Sequence, residues 1–418
     1  MSQPVDKLVS REFKLDVAQA QQRIWQDCAA ITGYQKITLH DALHRVLAEP
    51  IHSPINVPTN TNSAVDGYAV LHTDIPAEGR QALQLIGTAY AGAPFAHTLR
   101  AGQAVRIMTG AVIPEGADCV VMQEQVQVHQ DQIEIDGQHR AGENIRRAGE
   151  DLAAGAIALA AGKRLQPADL GLLASLGINE IRVWRRLRVA FFSTGDELRS
   201  LGEPLAKGQI YDSNRYTLRG MLKALDLDLI DLGVVKDDPQ SLRQVLRSAA
   251  AEADAIITSG GVSVGDADYL REIMQSLGEM HFWQIAMKPG RPLAYGRIAD
   301  TPLFGLPGNP VAVMVTFYQF VQPALLKLSG VSEVHAPRCF QVRSGSTFRK
   351  RPGRTEFQRA ILETDEQGEL QVHSFGRQGS GILRSMSEAN CLVVLPKDSG
   401  DVEVGDRVAV QVFEGLMP

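Results

Sequence analysis

The chain has 418 residues, 44% hydrophobic and 22% charged, with a net charge of −6 from 48 acidic and 42 basic side chains. It is too long for one core, so two to four domains are expected, and its composition is that of a soluble globular protein. The acidic balance argues against a general nucleic-acid binder and leaves an anionic substrate only through a local basic site.

Residues 15–50 read as helical, with turns at Thr32-Gly33 and before Pro50. Leu15, Ala18, Ile24 and Trp25 are helically spaced, as are Leu39, Ala42, Leu43, Val46 and Leu47. The polar stretch from Ser53 to Gly67 is a long loop feeding a strand, and long loops in compact proteins are often functional. Residues 56–143 then read as an inserted β-rich domain. Its predicted strands are Leu83–Gly87, Gln103–Met108, Cys119–Met122, Gln125–Val128 and Gln132–Ile135. The run from Gly142 to Asp151 is, on its own, a solvated charged turn. A helix follows from Pro167 to Leu176, with Pro167 in its first turn and Gly177 as its stop. The first helices are expected to pack with this one as a helical linker domain of residues 1–55 with 144–185.

Residues 186–332 alternate strand and helix. The predicted strands are Leu187–Phe192, Leu227–Val235, Ala253–Thr258, Met280–Met287, Leu293–Tyr295 and Leu303–Gly305. The predicted helices are Ser213–Leu225, Pro239–Ala251, one starting at Tyr269, and Asn309–Leu328. Such alternation predicts a doubly wound α/β domain, a parallel sheet covered on both faces. Ligands of these sheets sit beyond the C-terminal strand ends. The motifs there are Ser193–Glu197, Lys236–Pro239, Ser259–Asp268, Met287–Pro292 and Gly305–Pro310.

The central motif carries Gly260, Gly261, Ser263 and Gly265 between a strand and a helix. Glycines let backbone N–H groups approach an anion, and a helix start adds positive partial charge. The turn has no Gly-Lys-Ser/Thr ending and no G-x-G-x-x-G spacing, so it is neither a P-loop nor a dinucleotide fingerprint. Its plain alternative is an ordinary turn capped by Asp266 or Asp268. Residues 333–418 alternate again, with strands at Phe340–Val342, Glu356–Ile361, Leu370–His373, Cys391–Leu395 and Arg407–Phe413, and read as a C-terminal β-domain.

Asp66, Glu197, Asp237 and Asp268 are loop carboxylates, and Lys288 and Arg291 are cations in a loop stiffened by proline. Carboxylates beside a polyphosphate hold Mg²⁺, and neighbouring cations neutralise phosphate or an oxyanion. Taken singly, each carboxylate also reads as a cap or a surface ion pair. Asn309 and Pro310 read equally as the cap of the long helix. No Ser/His/Asp or Cys/His arrangement stands out, and the histidines read as structural. Cys28, Cys119, Cys339 and Cys391 form no C-x-x-C pair, which argues against a disulfide framework or zinc. With no leader pattern and no apolar run read as a bilayer span, the cytoplasm is the expected location and no membrane partner is expected.

The segments Asn62–Ala69, Arg106–Ala111, Asn144–Asp151, Ser193–Leu198, Tyr211–Asn214, Ser259–Tyr269, Lys288–Pro292, Leu306–Val311, Pro352–Arg354 and Glu356–Arg359 together resemble one family. It is the molybdopterin molybdenumtransferase family, MoeA, whose eukaryotic relatives include the gephyrin E domain. The resemblance spans almost the whole chain in one order. It implies a four-domain elongated homodimer that performs the last step of molybdenum cofactor assembly. Adenylated molybdopterin and molybdate give the cofactor and AMP, with Mg²⁺ required. It also implies transient contact with the molybdopterin adenylyltransferase.

By the same resemblance, Asp66, Thr109, Glu197, Asp237, Asp268, Pro307 and Pro310 are site residues, and Asp66, Glu197 and Asp268 are the metal candidates. Lys288 and Arg291, with Arg354 and Ser380 from the last domain, would surround molybdate. The sequence departs from the family pattern at Ala312, where a serine is common, and at Gln284 and Arg291, where lysines are common. The rival readings are the adenylyltransferase of the preceding step and a non-catalytic, gephyrin-like scaffold. Asp66 and Thr109 lie in the inserted domain, and Glu197 and Asp268 in the doubly wound one, so active sites composed from two chains are expected. Lys288→Ala is expected to weaken molybdate use with little change in melting temperature.

Overall fold

A computed structural model describes residues 14–261 and 269–413. At its centre is a seven-stranded sheet. Its spatial order is Lys14–Leu15, Gly278–Ile285, Pro292–Ile298, Thr301–Leu306, Ala255–Ser259, Arg188–Thr194 and Asp228–Val235. Strand alternation sends Val189, Phe191 and Ile257 into one hydrophobic core and Ala190, Phe192 and Ile256 into another. Ser213–Lys223 and the helical run from Pro310 to Leu328 cover the first face, and Pro239–Glu252 and Tyr269–Leu277 the second. The sheet is doubly wound as predicted, with one reversal. Pro292–Ile298 runs antiparallel to both neighbours. Only Ala299 and Asp300 join it to Thr301–Leu306, and so short a connection cannot make a parallel crossover.

The run from Pro310 to Leu328 is long and apolar enough to cross a bilayer, but 72% of that stretch is buried inside the protein. It is a core helix, with one π-helical turn at Phe317–Val321.

Residues 67–136 form a six-stranded sheet in the order Cys119–Met122, Gly67–Val70, Gln103–Ile107, Arg80–Ala89, Gln132–Asp136 and Gln127–His129. The chain leaves for this sheet and returns from it side by side. Tyr34–Thr38 pairs with Glu180–Trp184, Ile51–His52 with Ile157–Leu159, and Asn62–Ser63 with Ile145–Arg146, all antiparallel. The helix expected over 39–47 is therefore absent, apart from a single 3₁₀ turn at Leu39–Asp41. Gly33, at φ +96°, starts the chain on a strand course, and pairing with Glu180–Trp184 overrides the helical spacing. The first helix, Val17–Asp27, does not pack with Pro167–Ser175 either. Its Ala20 and Ile24 are buried in the core shared with Phe317, Phe320 and Leu325.

In the C-terminal domain Thr355–Thr364, Leu370–Ser374, Phe340–Ser344, Arg407–Val412 and Cys391–Leu395 close on themselves, the last pairing back to the first. Met287–Lys288 joins this closed sheet as an extra strand parallel to Thr355–Glu356. The four cysteines are free.

Candidate active site

The strand order reverses between Arg188–Thr194 and Ala255–Ser259, which leaves a crevice beyond their carboxyl ends. A cavity of about 730 Å³ opens there, with Glu197, Asp237, Gly260, Gly261, Pro307 and Pro310 in its wall. A second cavity of about 330 Å³ adjoins it, with Lys288, Arg291, Arg354 and Ser380 in its wall. Pro292, Pro307 and Asn309 line both.

Backbone geometry fixes the glycine turn. Gly260 has φ +92°, and a Cβ there would lie 2.2 Å from the carbonyl oxygen of Thr194. Its N–H donates to the Leu306 carbonyl at 3.1 Å, so the turn is tied to the strand Thr301–Leu306 and lies close against the end of Arg188–Thr194. Asn214, at the start of the helix Ser213–Lys223, donates to Ser259 Oγ at 2.9 Å and to the Gly308 carbonyl at 2.8 Å. It clamps the glycine turn to the Pro307–Pro310 loop. Buried Asp212 caps the same helix, accepting from Arg215 N at 3.1 Å and from Ser193 Oγ at 3.0 Å. Neither Asp212 nor Asn214 was singled out as a site residue in the sequence. The available signal was an Asp-Ser-Asn run directly before a helix within a family-like segment. Ser263, Gly265 and Asp268, the remaining candidates of the central motif, lie outside the described residues.

The adjacent aspartates Asp237 and Asp238 divide two jobs. Asp238 is the N-cap of Pro239–Glu252, accepting from Gln240 N and Ser241 N at 3.0 and 2.9 Å. Asp237 faces the larger cavity instead. Burial raises its carboxyl above the ordinary value, and the charges of Asp196 and Glu197 push it further up. A carboxylate with a raised folded-state pKa adds stability below its unfolded pKa and loses it as pH rises through the folded one. Asp237→Asn is therefore expected to raise the melting temperature at pH 7, more than at pH 4, while lowering turnover. Thermal melts at the two pH values check this, and an unchanged or lower melting temperature at pH 7 counts against it.

Asp66 and Thr109 meet each other but line neither cavity of their own chain. Thr109 donates to Asp66 Oδ1 from both N and Oγ1, each at 2.7 Å. These two bonds, the hydroxyl's first, hold the exposed Asp66 carboxyl below its usual range. The metal candidates Asp66 and Glu197 are thus not brought together within one chain.

The smaller cavity straddles two domains. Buried Arg359 donates to the Gly379 carbonyl at 2.9 Å and to Ser385 Oγ at 3.0 Å, fixing the loop that carries Ser380. Burial pushes the Arg359 guanidinium down to about 10, so it stays charged at neutral pH. The Ser380 carbonyl in turn accepts from Val311 N at 3.1 Å, which seats the loop on the start of the core helix. Arg291 donates to Gln284 Oε1 at 3.1 Å, so two of the departures from the family pattern touch each other. The third, Ala312, lies in the wall of the same cavity. Asn309 occupies the N-cap position but makes no side-chain capping bond. Its place in both cavity walls favours the site reading.

Lys288 is not a free cation. Its Nζ lies 3.1 Å from Oε2 of Glu356, whose side chain is only 4% exposed. Lys288→Ala would leave that buried carboxylate unpaired, which overturns the expectation of an unchanged melting temperature. The expected loss is about 1–3 kcal/mol, at the low end of what breaking a buried pair costs because Lys288 is half exposed. Denaturant titration checks it, and restoration by a second change, Glu356→Gln, identifies the stranded charge as the cause.

Three family models match the chain in order: the MoeA N-terminal region (domain I and II) over residues 15–177, the "probable molybdopterin binding domain" over 190–327, and the MoeA C-terminal region (domain IV) over 341–413. A molybdopterin molybdenumtransferase of Haemophilus influenzae is 42% identical over 96% of this chain and 100% of its own length. Gephyrin of Dictyostelium discoideum is 33% identical over 92% of this chain, which spans 60% of that protein. The crystal structure of a molybdopterin biosynthesis moeA protein from Pyrococcus horikoshii superposes with a TM-score of 0.82 at 29% identity, covering 96% of this chain and 100% of that one. The chain belongs to the molybdopterin molybdenumtransferase (MoeA) family and is related to gephyrin.

Proposed function

We propose that the protein inserts molybdenum from molybdate into adenylated molybdopterin and releases AMP, the final step of molybdenum cofactor assembly. The observation that carries this reading is the pair of adjoining cavities, one with a glycine turn and carboxylates, the other with three cations. The first suits a phosphorylated pterin joined to a nucleotide, and the second suits a small oxyanion held beside it.

In this reading the Gly260 N–H stays bonded to the Leu306 carbonyl and fixes the turn, and the N–H of Gly261 receives a phosphate oxygen. Lys288, Arg291 and Arg354 hold molybdate next to the dithiolene sulfurs, and Ser380 offers it a hydroxyl. Pro307 and Asn309, shared by both cavities, set the distance between the two substrates. The chain supplies positioning and charge stabilisation more than covalent chemistry.

The donor set fits Mg²⁺. Burial first, and then the charges of Asp196 and Glu197, raise the Asp237 carboxyl, and the repulsive part of that shift is one a divalent cation would relieve. Mg²⁺ keeps its waters and needs only one or two protein carboxylates beside phosphate oxygens. Among the described residues no group of three or more His, Cys, Asp or Glu is arranged to hold a metal. Glu197 and Asp237 are the carboxylates that one chain's described residues would offer there, with Asp66 arriving from the second chain, and the ion when bound would supply Lewis-acid polarisation of the anhydride.

The working form is a homodimer with composite sites, in the cytoplasm, in transient contact with the adenylyltransferase that makes its substrate. Two features support the dimer. Asp66 and Thr109 stand away from the cavities of their own chain. Leu201, Leu205, Ile210 and Tyr211 beside the larger cavity are 57, 44, 54 and 42% exposed, an apolar patch suited to a second copy.

The test is to incubate the purified protein with adenylated molybdopterin, Mg²⁺ and molybdate and to follow AMP. Molybdate-dependent AMP release supports the reading. Turnover of ATP with molybdopterin would instead favour the adenylyltransferase, and inertness in both assays the scaffold.

A further inference from the structure

We propose that Glu356 sets the charge of the smaller cavity and so matches it to a doubly charged oxyanion; this rests on reading that cavity as the molybdate site. Glu356 and Lys288 face each other in register where Met287–Lys288 joins the C-terminal domain. The carboxylate is held at two points, by Lys288 Nζ and by Gln358 Nε2, each 3.1 Å from Oε2. It is buried and does not line the cavity, so it touches no substrate and acts through Lys288.

The cations in the cavity wall are Lys288, Arg291 and Arg354. Lys288 is matched by Glu356, and among the described residues the Arg291 side chain bonds the neutral Gln284 and no carboxylate. Two positive charges are left for the ligand, enough to neutralise a dianion. Lys350 also feels Glu356, but it is buried behind the cavity and donates to the carbonyls of Arg351, Lys397 and Ser399. It adds a constant background rather than a contact.

Removing the Glu356 charge has two opposed effects. The cavity gains one unit of positive charge close to the ligand, and Lys288 regains some rotamer freedom. The first is the larger, because unit charges a few ångströms apart interact strongly even under near-surface screening, whereas Lys288 is already half exposed and has little order to lose. The Coulomb energy scales with ligand charge. Glu356→Gln should therefore tighten molybdate binding about tenfold and binding of perrhenate, a tetrahedral monoanion, only about threefold, the square root of the first.

Equilibrium dialysis with molybdate and with perrhenate measures this without turnover. In Glu356→Gln both anions are expected to bind more tightly, in that square-root relation, while Glu356→Asp stays within about twofold of wild type because its charge is kept. Equal weakening of both anions in Glu356→Gln would show that Glu356 only holds the loop in place, and unchanged binding would show that its charge is not felt. Either result overturns the proposal while the molybdate site stands. Wild-type protein that binds neither anion would sink the oxyanion reading itself, and the proposal with it.

Discussion

Gly260→Ala is expected to cost AMP release at least about 10²-fold, the scale of loss when a reacting group is misplaced by an ångström. Two independent costs meet at this residue. Its φ of +92° strains any residue with a Cβ, and the added methyl would lie 2.2 Å from a backbone carbonyl that the sheet holds in place. Together they amount to about 3 kcal/mol, or a fall in melting temperature of roughly 6–12 °C for a domain of this size. Gly261→Ala should be milder. At Gly261 the new methyl meets the Thr194 side-chain methyl at 2.9 Å rather than backbone, and a side chain can shift. Calorimetry and an AMP assay on both variants check this. A Gly260→Ala protein with wild-type turnover would show that the turn does not shape the phosphate site.

Mixing two dead variants should restore life. Asp66→Ala and Glu197→Ala are each expected to be inactive, since removing one strong electrostatic contact costs about 10²-fold. If each site takes Asp66 from one chain and Glu197 from the other, a heterodimer carries both lesions in one site and none in its second. Random pairing makes about half the dimers mixed, so roughly one quarter of wild-type activity should return. Co-expression with two affinity tags, followed by the AMP assay, measures it. Isolated heterodimers as dead as either parent would place the whole site within one chain.

Much of the site was readable because its parts follow strands. Glu197, Asp237, Gly260 and Pro307 all lie just beyond strand ends, where a doubly wound sheet gathers its loops, and Lys288 follows the end of Gly278–Ile285 by three residues, inside the short strand Met287–Lys288. What escaped were partners distant along the same chain. Glu356 is buried within an alternating strand, where a carboxylate has no pattern of its own, and only the register with Lys288 reveals its role. Asp237 is singled out over its neighbour Asp238 by family resemblance, and the structure gives the physical difference: one lines the cavity and the other caps a helix. The lost helix at 39–47 is the same lesson at the level of backbone. Helical spacing of Ala42, Val46 and Leu47 yields to long-range pairing, because all three bury their side chains in a small core with Leu165, Leu173 and Ile181 or beside Arg164. Arg354 and Ser380 were placed by family resemblance alone. The reason they sit by the smaller cavity, a closed sheet stitched to the Lys288 loop, is a matter of tertiary packing.

The paired course of the chain between the two larger sheets has a mechanical meaning. A single linker would let the distal sheet wander and dilute Asp66 and Thr109 through a large volume. Here the outgoing and returning segments brace each other at Tyr34–Thr38 with Glu180–Trp184, at Ile51–His52 with Ile157–Leu159, at Val57 with Leu152, and at Asn62–Ser63 with Ile145–Arg146. Two strands tied at intervals resist bending as a cantilever does, and the load at the tip is the Thr109-held carboxylate of Asp66. The arm's reach is set by residue count, at about 3.4 Å per residue of paired strand, rather than by chain entropy. Its length is a gauge: if Asp66 serves the second chain's site, one residue added to or removed from both rails would carry it past that site or leave it short.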